Sequence, residues 1–437
     1  MEQFLELLET ENELERISGP FSTELEIARH ACKKAAMHGP ALLFENIPGH
    51  GMPALVNAFA SERRISLALG INPVEKLGEI TRLLSEKPGA APGPVTAQTA
   101  PCQEIILKGR AVDLRKLPAL KCWPGDGGHA INMAVVQTRD METGERNLGI
   151  YRLQIFGKNM TGFHCHKGSG AWRHYMKAEK AGVPLEITAS IAPCPELVMS
   201  ASIPLPHGMD EMLLASMLRD APLETAPAVT VSHEVPADAG IVLEGVAMPN
   251  ERRMEGPFGN HTGCYSPQTP FPVFHVRCVT MRRHPVFQAT VTGPPPQEDC
   301  FMARAAVKAI TPFIKRELPE IMDINMPLEG IFMNIIYVKT ANSPGISAEE
   351  LAQRIWALPW LARYKMVMIF DEEADLENPG DLLWRFGNHL EPAKDIFTRE
   401  GNLSPLDPAS GFSGRGGKVC FDCRPGSETR GKIMEIK

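Results

Sequence analysis

The chain has 437 residues and a formal net charge of −7, from 45 Lys+Arg against 52 Asp+Glu. Its 43% hydrophobic and 22% charged residues match ordinary globular usage, which excludes a disordered chain, a collagen-like fibre and a supercharged nucleic-acid binder. No run of 18 apolar residues suits a bilayer, the start Met1-Glu2-Gln3-Phe4-Leu5-Glu6 is acidic where a signal peptide is basic, and the ten cysteines are scattered; a cytoplasmic protein with reduced thiols and no membrane or nucleic-acid partner is expected.

Taken in chain order, Phe4, Leu5, Leu7, Leu8, Leu14 and Ile17 predict a helix over 1–20. The run 41–46 predicts a strand closed by Pro48-Gly49. Prolines 88, 92, 94 and 101 make 86–103 a connector, and the same character at 117–128 places a boundary near residue 120. From 129 to 292 the pattern is mostly β, with strands at 131–136, 149–155, 185–191, 241–245 and 273–276 and helices near 171–181 and 210–219. Such a centre suits a barrel or a mixed sheet and not a Rossmann repeat. A long helix follows at 301–318 with a kink at Pro312. Strand 331–338, helix 347–357, strand 366–370 and helix 380–390 then alternate as in a small α/β domain. The organisation is mixed α+β: an N-terminal α/β part (1–120), a β-rich centre (121–300) and a linker helix with a C-terminal α/β domain (301–437).

Several standard chemistries are absent. No GxGxxG follows a strand, no HExxH or GxSxG occurs, and the P-loop-like run 411–418 is one residue too long with Val419 where Ser or Thr belongs. Cys420 and Cys423 form a CxxC without the second half of a zinc site, so reduced residues on a late strand are expected.

Polar residues accumulate in the centre: Asn147 and Arg152 around Leu-Gly-Ile-Tyr, then His164, His166 and His174, Asp210-Glu211, and Glu255-Gly-Pro-Phe-Gly-Asn-His-Thr-Gly263. Strand alternation puts Arg152 opposite Asn147 unless the chain bends, for instance at Gly149. An Asn, a His and a Glu together suit Mn²⁺ or Mg²⁺ better than zinc. Read singly, Glu211 is an acid at a helix N-terminus and Arg152 a strand arginine reaching water. The glycines and proline of 255–263 describe a rigid loop that a bulky ligand can approach closely.

These blocks, with Leu218-Arg219, Val235-Pro-Ala, Val242-Leu-Glu-Gly245, the run Tyr364 to Glu372 and Leu406-Asp407-Pro408, resemble the UbiD-like (de)carboxylases over nearly the whole chain. The resemblance implies a split-barrel-like flavin-binding centre and prenylated FMN as the electron sink for decarboxylating aromatic, heteroaromatic or α,β-unsaturated acids. It implies a divalent ion on Asn147, His166 and Glu211, potassium near Ala201 and Ser202, and flavin contacts from Ile150, Tyr151, Arg152 and Lys365. Arg152 and Glu255 map onto the catalytic pair. The family's second acid falls on Asn260, which cannot protonate; Glu255 alone or His261 is left as the donor, and Asn260 becomes a partner for a ring heteroatom or hydroxyl. A UbiX-like flavin prenyltransferase as cofactor supplier and a homodimer or a hexamer of dimers are further implications. The large subunit of a CO₂-fixing carboxylase and a cofactor-binding homologue without turnover are the alternatives.

Overall fold

The structure, a computed structural model, describes residues 1–70, 79, 80, 82, 93–206, 209–341 and 345–426. The expected connector 86–103 therefore lies partly outside the described residues. The chain divides into two units, Met1–Met302 and Ala303–Lys437.

In the first unit, the helix expected over 1–20 ends at Thr10, and Leu14–Pro20 is a strand pairing in parallel with Ala41–Asn46. Asn12 takes a left-handed conformation (φ 57°) that breaks the helix, after which tertiary pairing overrides the apolar spacing. A four-stranded sheet forms from 14–20, 41–46, 54–56 and 287–288.

The dominant feature is a nine-stranded sheet built on β1 (Arg146–Ile150), β2 (Leu153–Gly157), β3 (Ile241–Glu255) and β4 (Thr269–Met281). The path runs 130–131, β2, 160–162, β4, β3, 185–191, 134–139, β1, with 105–108 also on β4. Six strand-to-strand steps separate β2 from β1, about 29 Å in a flat sheet at ~4.8 Å per step. Yet only Tyr151 and Arg152 join them, and three Cα steps of ~3.8 Å span at most about 11 Å. The sheet must curl until its two ends meet, and Arg152 sits on that seam. The single strand expected over 149–155 is thus two strands that turn at 151–152, not at Gly149.

Residues 241–247 of β3 are buried without alternation, as a strand covered on both faces requires, and Ile187, Ala189, Leu243, Phe274 and Val276 belong to the core beneath. Three helices flank the seam: α1 (Gly170–Ala181), α2 (Pro195–Ser202) and α3 (Glu211–Leu218). Ser169 caps α1 by accepting from Trp172 N, and Asp210 caps α3 by accepting from Met212 N.

A helix, α4 (Glu298–Glu317), continues through Pro312. The second unit holds a five-stranded sheet in the order 321–325, 335–340, 366–370, 415–422, 396–402, parallel at its three central strands, with helices 348–357 and 379–389. The strand expected at 331–338 starts at Ile335 because Ile331 and Phe332 have positive φ. All ten cysteines are free, with Cys420 and Cys423 buried at the end of strand 415–422. No helix among the described residues is long and apolar enough to cross a membrane.

Candidate active site

At the seam the chain leaves β1 and re-enters β2, and His164 N donates to Arg152 O at 3.1 Å, which continues the β2 hairpin beyond its strands. The Arg152 guanidinium is held on three sides. Its Nε donates to Glu255 Oε1 at 2.8 Å, its Nη2 lies 2.8 Å from His164 Nδ1, and its Cζ stands 3.9 Å over the Phe258 ring. Glu255 is the last residue of β3 and only 1% exposed. His164 packs on Phe271, ring centroids 4.0 Å apart.

The loop after Glu255 is tied down by residues that sequence reasoning did not single out. Gly256 N donates to Gln154 Oε1, Gly259 N to Asp126 Oδ1, and Gly127 N to Pro257 O, each at 2.8 Å. Asp126 Oδ2 in turn accepts from the amides of Cys122 and Trp123. A Cβ at 259 would come within 2.2 Å of the Trp123 ring, so glycine is required for this packing. At Gly162 a Cβ would lie 2.8 Å from Glu255 Oε2, the oxygen that is buried and lacks a hydrogen-bond partner among the described residues.

Burial pushes the Glu255 carboxyl upward, but hydrogen bonding and the Arg152 guanidinium outweigh it and hold the group below its usual range. Burial and the same guanidinium hold the His164 ring below its ordinary pKa. An arginine nitrogen only donates, so His164 Nδ1 must accept from it and cannot also donate to Glu255 Oε1, 3.3 Å away. We therefore assign the depression of Glu255 to Arg152.

A second carboxyl behaves oppositely. Glu211, first residue of α3 and 9% exposed, has its Oε2 accepting from Leu148 N at 3.1 Å, and burial pushes its pKa up to about 8. That bond ties it to β1 beside Asn147, whose Nδ2 donates to the Tyr151 hydroxyl at 3.4 Å. His166 is exposed, with its ring 6.1 Å from that of Tyr151. Asn147, His166 and Glu211 are thus each linked to β1 or its continuation at Tyr151. Gly170 lies against Asn147, where a Cβ would meet Oδ1 at 1.7 Å. Glu211 offers a buried carboxylate, Asn147 an amide oxygen and His166 an imidazole, donor types that suit a divalent oxygen-seeking ion. Among the described residues, no group of three His, Cys, Asp or Glu forms a metal centre of its own.

The remaining expected residues are distributed as follows. Ile150 ends β1, half-buried; Ala201 and Ser202 end α2, where helix carbonyls favour a cation. Asn260 is 4% exposed, and its Oδ1 accepts from Thr262 N at 2.9 Å and Thr262 Oγ1 at 2.6 Å, while its buried Nδ2 has no partner among the described residues. His261 Nδ1 lies 2.5 Å from Asp299 Oδ2, a partner not foreseen. Lys365 is in the second unit, where its ammonium pairs with Asp407 at 2.7 Å.

Comparison with known proteins decides the family. Models of the 3-octaprenyl-4-hydroxybenzoate carboxy-lyase match in chain order: the N-terminal domain at residues 5–84, the Rift-related domain at 94–295 and the C-terminal domain at 300–423. The chain belongs to the UbiD family of carboxy-lyases. Relatives of this UbiD chain include an uncharacterized protein of Aquifex aeolicus, 36% identical over 97% of this chain and 91% of its own, and one of Archaeoglobus fulgidus, 37% identical over 91% and 85%. Its fold matches the UbiD-class enzyme HmfF of Pelotomaculum thermopropionicum in complex with FMN (TM-score 0.88, 27% identity, 100% of this chain and 96% of that one). It also matches vanillic acid decarboxylase of Sedimentibacter hydroxybenzoicus in closed form (TM-score 0.90, 26% identity, 100% and 94%).

Proposed function

We propose that this UbiD-family chain catalyses reversible, non-oxidative decarboxylation of an aromatic, heteroaromatic or α,β-unsaturated acid with prenylated FMN. The observation that carries the reading is the pair of buried Glu255 with half-buried Arg152 at 2.8 Å on the barrel seam, one carboxylate oxygen having no partner among the described residues. An evolved dimeric HmfF is solved with the prenylated flavin, and this chain aligns with it at a TM-score of 0.85.

Loss of CO₂ from an sp² carbon leaves a carbanion no side chain can delocalise, and the bound flavin supplies that electron sink. Arg152 pairs with the substrate carboxylate and keeps Glu255 in place. Glu255, ionised at rest because Arg152 stabilises its charge, takes up a proton when that charge balance changes and delivers it to the carbon. His261, oriented by Asp299, is the second candidate donor. Asn260 cannot be one, but its unpartnered Nδ2 suits donation to a ring heteroatom or hydroxyl.

Asn147, His166 and Glu211 would hold Mn²⁺ or Mg²⁺, which would neutralise a phosphate, potassium would sit at the carbonyl end of α2 by Ala201 and Ser202, and Ile150 and Tyr151 would contact the cofactor. A UbiX-like prenyltransferase supplies the flavin, and the C-terminal domain serves homodimer or hexamer assembly. The test is protein co-expressed with such a prenyltransferase, examined for flavin absorbance and manganese and screened for CO₂ release from aromatic acids. Colourless, manganese-free protein that releases no CO₂ would refute the reading; bicarbonate-dependent product formation alone would favour a carboxylase subunit.

A further inference from the structure

The Arg152–Glu255 pair has a third member. His164 touches both: its Nδ1 lies 2.8 Å from Arg152 Nη2 and 3.3 Å from Glu255 Oε1. Its backbone amide bonds the Arg152 carbonyl, and its ring is fixed against Phe271. Arg152 therefore has its Nε on Glu255, one Nη on His164 and its face on Phe258. A guanidinium carries five N–H donors in a rigid fork, and these contacts occupy the Nε side and one terminal nitrogen. The rest of the fork is left to meet a planar anion. Glu255 alone makes one hydrogen bond to Arg152, which leaves the guanidinium free to rotate about it; a second contact through Nη2 removes that freedom.

We propose that His164 is a positioning residue for the carboxylate-binding arginine: its unprotonated Nδ1 accepts from Arg152 Nη2 and locks the guanidinium plane so that its open edge faces the substrate acid. The proposal rests on the reading of Arg152 as the carboxylate partner. Arg152 draws Nδ1 into the acceptor role, which places the ring proton on Nε2. Glu255 then needs no proton from histidine and keeps its second oxygen available.

The experiment uses full-length protein loaded with FMN, as wild type, His164→Asn and His164→Leu. The asparagine Oδ1 stands where Nδ1 stood and accepts the same bond; leucine fills the space and accepts nothing. Benzoate binding is titrated by calorimetry and flavin absorbance, and crystal structures of the variants are solved. His164→Leu is expected to weaken benzoate at least 10-fold and to release Arg152 from its 2.8 Å contact with Glu255. His164→Asn is expected to stay within 3-fold and to keep that contact, with FMN affinity within 2-fold of wild type in both variants. Equal losses in Asn and Leu would indicate mere packing and overturn the proposal, as would an unmoved Arg152 in the leucine variant. Wild type that ignores benzoate, with the crystal structures as expected, would remove the carboxylate role of Arg152 and leave the positioning role standing.

Discussion

Glu255 and Glu211 are the same side chain, both buried in the first unit, one ending an interior strand of the curled sheet and the other bonded to its edge strand, yet their protons behave oppositely. Glu255 lies below the usual carboxyl range and Glu211 is pushed up to about 8. Desolvation raises both; the difference is that Glu255 has a guanidinium in direct contact at 2.8 Å, while backbone amides and the field of Arg146 offset the burial of Glu211 only in part. A site whose counter-cation is part of the chain holds its charge from the moment of folding. One without it holds charge only when a cation arrives from outside. The first arrangement suits a group that must exchange a proton with substrate, the second a metal ligand.

Removing the built-in cation is the largest way to break this contrast. In Arg152→Ala the Glu255 carboxylate is left buried and unpaired, a loss of about 3–5 kcal/mol for such pairs. Glu255 should then behave like Glu211, its pKa rising above the normal range. Turnover should fall at least about 10³-fold, within what a lost acid–base group costs. Glu255→Gln should show the same kinetic loss without the instability, and the flavin-to-protein absorbance ratio should stay at the wild-type value in both. Retained activity in either variant would break the Arg–Glu mechanism.

Glu211→Gln probes the other half. The amide removes the charge that a metal would neutralise, so manganese in the purified protein should drop from about one equivalent to below a tenth. CO₂ release should fall about 10²-fold, comparable with disturbing a metal's supporting shell. Arg152 and Glu255 are untouched, and benzoate binding should survive. Wild-type manganese content in this variant would remove Glu211 from the ligand set.

The contrast also shows what was legible in the amino-acid sequence. Asn147, Arg152, Glu211 and Glu255 were recognisable because each lies in a block of distinctive residues, and the β-rich centre because its apolar runs are short and closed by turns. The meeting of Arg152 with Glu255 was not legible, since 103 residues separate them and only the closure of the sheet brings them together. His164 carried a partial signal. Reading Lys158-Asn159 as a hairpin turn sets Cys165, next to His164, opposite Arg152; the register shift between Met160 and Thr161, which the sequence does not announce, brings His164 there instead. Asp299 had none: an acid at the start of a helix has a sufficient local explanation, and its contact with His261 is purely tertiary. The N-terminal helix was overextended because Leu14 and Ile17 fit a helical face as well as a strand, and only pairing with 41–46 decides between them.

Glu298 extends the comparison to a carboxyl that has neither an adjacent cation nor an expected metal. It is 1% exposed, its Oε1 accepts from Phe59 N at 2.7 Å, and burial pushes its pKa up to about 7. The folded state thus binds this proton more tightly than the unfolded chain. The stability it confers is complete below about pH 4.5 and is lost as pH rises through about 7. Glutamine mimics the protonated form, so Glu298→Gln should match wild type at pH 4.5 and exceed it by about 2–3 kcal/mol at pH 8, from urea midpoints at the two pH values. A variant equally stable relative to wild type at both would mean that Glu298 ionises normally.

Asn260 gives the smallest effect and the finest test, because it is an amide in the same loop as Glu255. Its Oδ1 closes a turn on Thr262, while its Nδ2, equally buried, has no partner among the described residues. An unmade hydrogen bond of this kind costs about 1–3 kcal/mol unless a ligand or water supplies the acceptor. If a substrate hydroxyl or ring heteroatom supplies it, Asn260→Ala should lower kcat/KM for such acids about 10-fold and leave unsubstituted aromatic acids within 2-fold. Losing the turn should cost stability equally whichever acid is present, so the ratio between the two substrates isolates the Nδ2 contribution. An unchanged ratio would mean that Nδ2 does not face the substrate.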